Sequence, residues 1–351
     1  MTKDRFTHLD YANLRAGSRV IDDCISVIET AGRLDGEPEA WLAEIAQCAR
    51  RASPLFENAF CFLYDIRDLG GVRIVAGATA GDPGALDLIA RTDAVAPPEV
   101  RMAAYLSRPV DTFSGLCGDD SGSEAALQVL REAGYADVIG VVGGDPTGFG
   151  CLLGGLLHQR TKASRETRHH WSRVAAHIAT AYRTRRGMGG DVLDAADVVL
   201  SPNGQVEHAA ADATGDRGLT ALRHAAWAAD RARGRLRNED LTEAIEIWEA
   251  MVAGRWSLTE TFDTDGRRFF VARDVEPVRD TPVELSPRER QVAALAALGH
   301  PQKLIGYELG LSSSTVSSHL AGALAKLNMR SRADLIGFFL GPAGVPGERP
   351  T

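Results

Sequence analysis

Ser314, Ser317, Ser318 and Ala321 stand near the end of this 351-residue chain at the spacing i, i+3, i+4, i+7. Residues so spaced share one face of a helix. Serine hydroxyls on such a face can bond phosphate oxygens or base edges, and an alanine methyl can touch a thymine methyl. Small side chains also let a helix backbone approach a groove closely. Other chemistry is harder to assemble. His169-His170, with His177 two turns on, has no accompanying carboxylate–histidine spacing. Adjacent histidines point different ways, so this reads as a solvated helix face rather than a metal site. Arg231, Arg233, Arg235 and Arg237 read as a solvated helix end. The run from Gly140 to Asp145 lacks the Lys-Ser/Thr and the helix that follow a phosphate loop, and reads as a strand entering a turn. Asp22-Asp23 falls inside an amphipathic helical pattern and not at the end of a strand. With no serine–histidine–acid or paired-carboxylate pattern, no catalytic role, metal or cofactor is expected.

The elements that must hold the serine face follow from the residues around it. Ser286 caps a helix, Pro287 takes its first position and Glu289 lies three residues after the cap, which makes a capping box. Val292, Leu295, Ala296 and Leu298 recur at helical spacing before Gly299 ends the helix. Pro301 opens a second helix, with Ile305 and Leu309 on one face and Gly310 suited to the left-handed residue that closes it. Ser312 caps the third helix, whose buried stripe is Val316, Leu320, Ala323, Leu324 and Leu327. A fourth begins at Ser331 and carries Leu335, Ile336, Phe339 and Leu340. Two short helices joined by a tight, glycine-containing turn make a helix-turn-helix, whose second helix can enter a major groove.

Residues 285–340 resemble the helix-turn-helix of the LuxR family of bacterial transcription regulators. The resemblance rests on Leu285 to Val292 (LSPRERQV), Gly299, Lys303, Ile305, Gly310-Leu311-Ser312, Thr315-Val316, His319, Lys326-Leu327 and Ser331 to Asp334. It implies that Ser317, Ser318 and Ala321, beside Ser314, face bases. It implies that Lys303, Thr315, His319 and Lys326 face the sugar-phosphate backbone, and that the fourth helix pairs two DNA-binding domains. The chain departs from the family where Ser317 replaces a common Lys or Arg, which removes a bidentate guanine contact. Leu304 stands where an acid is usual, so it is expected to meet a partner or another domain. Gly306 stands for the usual Ala and is expected to weaken its helix by ~1 kcal/mol.

Net charge is −8, yet it is unevenly placed. From Leu285 onward seven basic residues stand against four acidic, a net +3, which leaves −11 for residues 1–284. A basic module on an acidic body keeps phosphate attraction local. Five scattered cysteines never form CxxC and suit a reducing cytosol. No apolar run is long enough for a membrane span or a signal peptide, so a cytoplasmic protein is expected.

The rest of the chain reads as α+β. Helices are expected at 15–33 and 39–52, strands at 58–65 and 72–79, helices at 82–91, 98–106 and 121–133, strands at 137–143 and 149–158, and a long helix at 164–186. The apolar residues Phe60, Phe62, Val72, Ile74, Ile139, Val141, Leu152 and Leu156 alternate along those strands and line either a ligand pocket or plain core. This order resembles a GAF domain over 15–186, which implies a sensor that dimerises through its first and last helices, here with Trp171 and Ile178 on the long helix. Residues 191–275 read as a small, PAS-like α+β module with hairpins at Asn203-Gly204 and Asp265-Gly266 around two helices. A linker at 276–284 and a disordered tail at 341–351 complete the plan. The implied protein is a homodimeric regulator that binds double-stranded DNA and responds to an unidentified small-molecule effector, with RNA polymerase a further partner and no membrane. The alternatives are a sigma factor, for which the core-binding region is missing, and an interaction sensor with a vestigial DNA module.

Overall fold

The computed structural model describes residues 17–33, 36–66, 72–106, 108–117, 123–144, 149–186, 196–210, 216–252, 256–262, 266–274 and 285–327, with 329, 332 and 335. The expected linker and tail lie outside the described residues, and so does the fourth helix apart from Arg332 and Leu335.

Helices α1 (Gly17–Ala31) and α2 (Pro38–Ala52) lead into β1 (Asn58–Asp65) and β2 (Arg73–Ala80). Then come α3 (Ala85–Val95), α4 (Pro98–Leu106), β3 (Val110–Thr112), α5 (Phe113–Cys117), α6 (Glu124–Glu132), β4 (Asp137–Gly144), β5 (Phe149–Leu157) and α7 (Arg165–Arg186). The five strands form one antiparallel sheet in the order β2-β1-β5-β4-β3. Both faces are covered. Cys61, Ile139, Val141, Cys151 and Leu153 pack with residues of α1, α2 and α7, whereas Phe60, Phe62, Tyr64, Val142, Leu152 and Leu156 pack with α3 and α6.

Register corrects the expected pocket lining. Val142 pairs with Leu152 and Val141 with Leu153. Because directly opposed residues share a face, Ile139 and Val141 point away from Leu152 and Leu156. A strand buried on both faces reads as a continuous apolar run, and its phase is then hidden in the sequence.

A second antiparallel sheet, in the order β7-β6-β10-β9-β8, follows. It comprises β6 (Val198–Leu200), β7 (Val206–Ala209), β8 (Met251–Val252), β9 (Trp256–Phe262) and β10 (Arg268–Asp274), with α8 (Asp216–Arg233), α9 (Leu236–Glu239) and α10 (Leu241–Ile247) between. Gly204 and Gly266 hold φ of 78° and 76°, the left-handed conformation that Asn-Gly and Asp-Gly hairpins require. Val198, Leu222, Ile245 and Phe270 join the same hydrophobic cluster as Ile25, Leu42 and Trp171. The two α+β regions thus share one continuous core.

That sharing overturns three surface expectations. Trp171 and Ile178 are buried inside the protomer, and the Trp171 ring lies 4.5 Å from Phe56. They are not available to a dimer seam. Of the α7 histidines only His169 is solvated, since the helix is covered along most of its length and His170 and His177 are buried. His170 Nε2 lies 3.2 Å from Thr242 Oγ1, His169 pairs with Glu246 at 2.9 Å, and His177 Nε2 donates to the Trp248 carbonyl at 3.1 Å. Each has its own partner, and they do not converge. The arginine run is likewise only partly solvated: Arg233 joins Glu29 of α1 to Glu260 of β9, and Arg237 donates to Ser26 at 2.8 Å.

Candidate nucleic-acid interface

The C-terminal helices are α11 (Pro287–Ala297), α12 (Gln302–Leu309) and α13 (Ser313–Lys326). Ser286 and Glu289 form the full capping box: Ser286 Oγ accepts from the Glu289 amide at 3.3 Å, and Glu289 Oε2 accepts from the Ser286 amide at 2.8 Å. Gly310, at φ 61°, closes α12, and the Leu311 amide donates to the Gly306 carbonyl at 2.8 Å. Ser312 caps α13 by accepting from the Thr315 amide at 3.1 Å. Val316, Leu320 and Ala323 are buried, and Leu335 packs in the same cluster. Leu335 therefore serves the protomer's own core and not a dimer contact. Ile336, Phe339 and Leu340 lie outside the described residues.

Ser314, Ser317, Ser318 and Ala321 are all exposed on the outer face of α13. Lys303 is exposed on α12, and Thr315 and His319 are half-buried. Lys326 has another occupation. Its ammonium lies 2.6 Å from Glu289 Oε2 and ties the end of α13 to the start of α11. That hydrogen bond, with those from the Ser286 amide and hydroxyl, holds the Glu289 carboxyl at about 2. Arg332 is also engaged within the domain, donating to the carbonyls of Ala296 (2.8 Å) and His300. Much of the local positive charge is thus used internally.

Two glycines have roles that sequence reasoning missed. A Cβ at Gly322 would lie 2.7 Å from Glu289 Oε1, so its absence lets α13 pack over the Glu289 bridge. A Cβ at Gly306 would lie 2.6 Å from the Leu311 carbonyl oxygen, so here glycine admits the turn rather than merely weakening the helix.

The domain is docked on the body. Leu304 is 3% exposed, and α12 packs on α7 and β8. Tyr307 Oη lies 2.7 Å from the Trp248 carbonyl and 2.8 Å from that of Ile245, so its single proton serves either. Arg173 sits 4.6 Å over the Tyr307 ring. Burial pushes the Tyr307 phenol up and the His177 imidazole down to about 4. A Cβ at Gly144, at the end of β4, would lie 3.5 Å from Leu298 Cδ1. Of these contacts only Leu304 carried a sequence signal, as a large apolar residue in an acid's place.

Among known proteins, the model of a family described as bacterial regulatory proteins, luxR family, matches residues 283–339. The transcriptional regulatory protein FixJ of Rhizobium meliloti (strain 1021) is 38% identical over 63 residues, 18% of this chain and 31% of that protein. The nitrate/nitrite response regulator protein NarL of Escherichia coli (strain K12) is 32% identical over 96 residues, 27% of this chain and 43% of that protein. The chain spans less than half the length of these curated relatives. With its capping box, left-handed turn glycine and exposed serine face, the C-terminal unit of this chain is a helix-turn-helix domain of the luxR family.

Proposed function

We propose that the protein is a DNA-binding transcription regulator that binds operator DNA through α13 as a homodimer. The observation that carries this reading is the exposed face of Ser314, Ser317, Ser318 and Ala321 on the second helix of a luxR-family helix-turn-helix. Those four side chains face bases, with Lys303, Thr315 and His319 at the backbone. The first α+β region is a GAF-like sensor that has no catalytic role, and the second is a PAS-like extension of it. The sensor sets the geometry of the paired DNA-binding domains by population shift: an effector favours the arrangement it binds better. Genomic footprinting of the tagged protein, beside a Ser317→Glu variant, tests the reading. Discrete peaks lost in the variant support it, because an acid on the groove face repels phosphate. Identical profiles count against it. A second reading, an interaction sensor with a vestigial DNA module, is favoured by the internal use of Lys326 and Arg332. It predicts no discrete peaks in either protein.

A further inference from the structure

The first sheet leaves a hollow on the face covered by α3, α4 and α5. Across its strands Phe60, Gly154, Gly140 and Asp111 form one row of directly opposed residues, and so lie on one face. Two adjacent glycines in that row leave bare backbone where side chains would ordinarily pack. They are used differently. A Cβ at Gly154 would strike the Phe60 ring at 2.1 Å, so that ring fills the space above it. A Cβ at Gly140 would meet nothing within 4 Å. The space over Gly140 is a cavity of ≈ 60 Å³. One water needs roughly 10–15 Å³ on such a measure, so the cavity has room for a single six-membered ring with a short substituent. A nucleotide or a long acyl chain exceeds that volume.

The lining sets the chemistry. Phe60, Phe113 and Val142 supply apolar and aromatic walls. Asp93 reaches in from α3, and its Oδ2 accepts a hydrogen bond from Tyr105 at 2.6 Å. Among the described residues Asp93 Oδ1 has no hydrogen-bond partner. Arg108 also lines the cavity but is paired with Asp111 at 2.8 Å. Arg101, although not in the lining, lies close enough to act on Asp93. The preference for a cation therefore comes from where the groups sit and not from a net charge: Arg108 is occupied by Asp111, whereas Asp93 Oδ1 faces the hollow as a free acceptor. Burial raises the Asp93 carboxyl, and Tyr105 and Arg101 oppose that; a bound ammonium would act in the same sense as they do.

We propose that this cavity is a binding site for a small single-ring amine, its ring over Gly140 between Phe60 and Phe113 and its nitrogen donating to Asp93. Its role as the effector site rests on the regulator function proposed above, but occupancy does not, and it is read without DNA. Isothermal titration of the full chain with benzylamine, benzyl alcohol and benzoate tests it. Benzylamine is expected to bind saturably and at least tenfold more tightly than benzyl alcohol, with benzoate not binding. Gly140→Leu fills the hollow and is expected to lose benzylamine at least tenfold. Asp93→Asn, nearly the same shape, is expected to keep benzyl alcohol while losing the preference for the amine, which keeps the test sound should Gly140→Leu fail to fold. Benzylamine binding that is equal in the wild type and both variants, or absent from the wild type, overturns the proposal.

Discussion

Gly306 has a cost in one context and a purpose in another. In an isolated helix, alanine would be better by ~1 kcal/mol. Here the added methyl would lie 2.6 Å from the Leu311 carbonyl oxygen, and that carbonyl belongs to the turn that sets α12 against α13. Forcing atoms into a packed site costs typically ~1–3 kcal/mol, which outweighs the propensity gain. Gly306→Ala is therefore expected to lower the midpoint of chemical denaturation, where propensity alone predicts a rise. Glu289 gives a second residue-scale test. Its folded carboxyl is depressed to about 2, below the ordinary 4.5. Its stabilising contribution is therefore complete above pH ~4.5 and is lost as pH falls through about 2. Glu289→Gln should flatten that part of the stability–pH curve, measured by thermal melts. Ser317→Arg adds a cation to the exposed outer face of α13, and on the function proposed above the slope of log affinity against log salt should steepen by about 0.9. An unchanged slope would mean that position 317 does not approach DNA.

At the scale of elements, periodicity located most of the chain. The strands expected at 58–65, 137–143 and 149–158 lie at 58–65, 137–144 and 149–157, and the long helix expected at 164–186 lies at 165–186. What period could not convey was depth and phase. Three-residue β3 and two-residue β8 are too short to show any alternation. Apolar residues stand on both faces of β4, so its sequence does not reveal which residues look toward the hollow over Gly140. Most of α7 is buried although it carries His169, His170 and several arginines, because partners on other elements satisfy them; the pairing of His170 with Thr242 spans 72 residues. The serine face of α13 was legible for the opposite reason: its cap, its buried stripe and its outer face all lie between Ser312 and Leu327. Arg233 shows what non-local pairing contributes. Its guanidinium, with a side chain 17% exposed, bridges Glu29 and Glu260, themselves 19% and 14% exposed. Without it, among the described residues, Glu29 keeps only Arg237 at 3.9 Å and Glu260 only Arg268 at 3.4 Å, so part of the ~3–5 kcal/mol lost when a buried pair is broken outright is expected. Arg233→Ala is expected to lower the melting temperature more than Arg235→Ala, whose side chain is 88% exposed.

At the scale of the whole molecule, the helix-turn-helix domain and the body meet where a phenol, an imidazole and two carbonyls share protons. His177 Nε2 donates to the Trp248 carbonyl, the same oxygen that Tyr307 approaches from α12. Protonating His177 would place a charge in a buried site, and burial accordingly depresses it to about 4. A histidine so depressed stabilises the folded arrangement fully above its unfolded value near 6.5, and that contribution is lost as pH falls from there toward 4. The seat of α12 should therefore weaken on acidification across this window. Hydrogen–deuterium exchange resolves it locally: amides of 302–309 and 245–252 are expected to exchange faster at pH 5 than at pH 7, after correction for the intrinsic rate. The Val316–Leu320 turn of α13, held by its own core, should change less. His177→Gln retains an N–H donor for Trp248 but cannot titrate, so it should remove the pH difference. Tyr307→Phe should speed exchange in the same segments at both pH values, because it removes the phenol's one donated hydrogen bond, worth ~1 kcal/mol, and leaves His177 as the remaining side-chain donor to the Trp248 carbonyl. If the pH effect is the same in wild type and His177→Gln, the histidine does not control the junction.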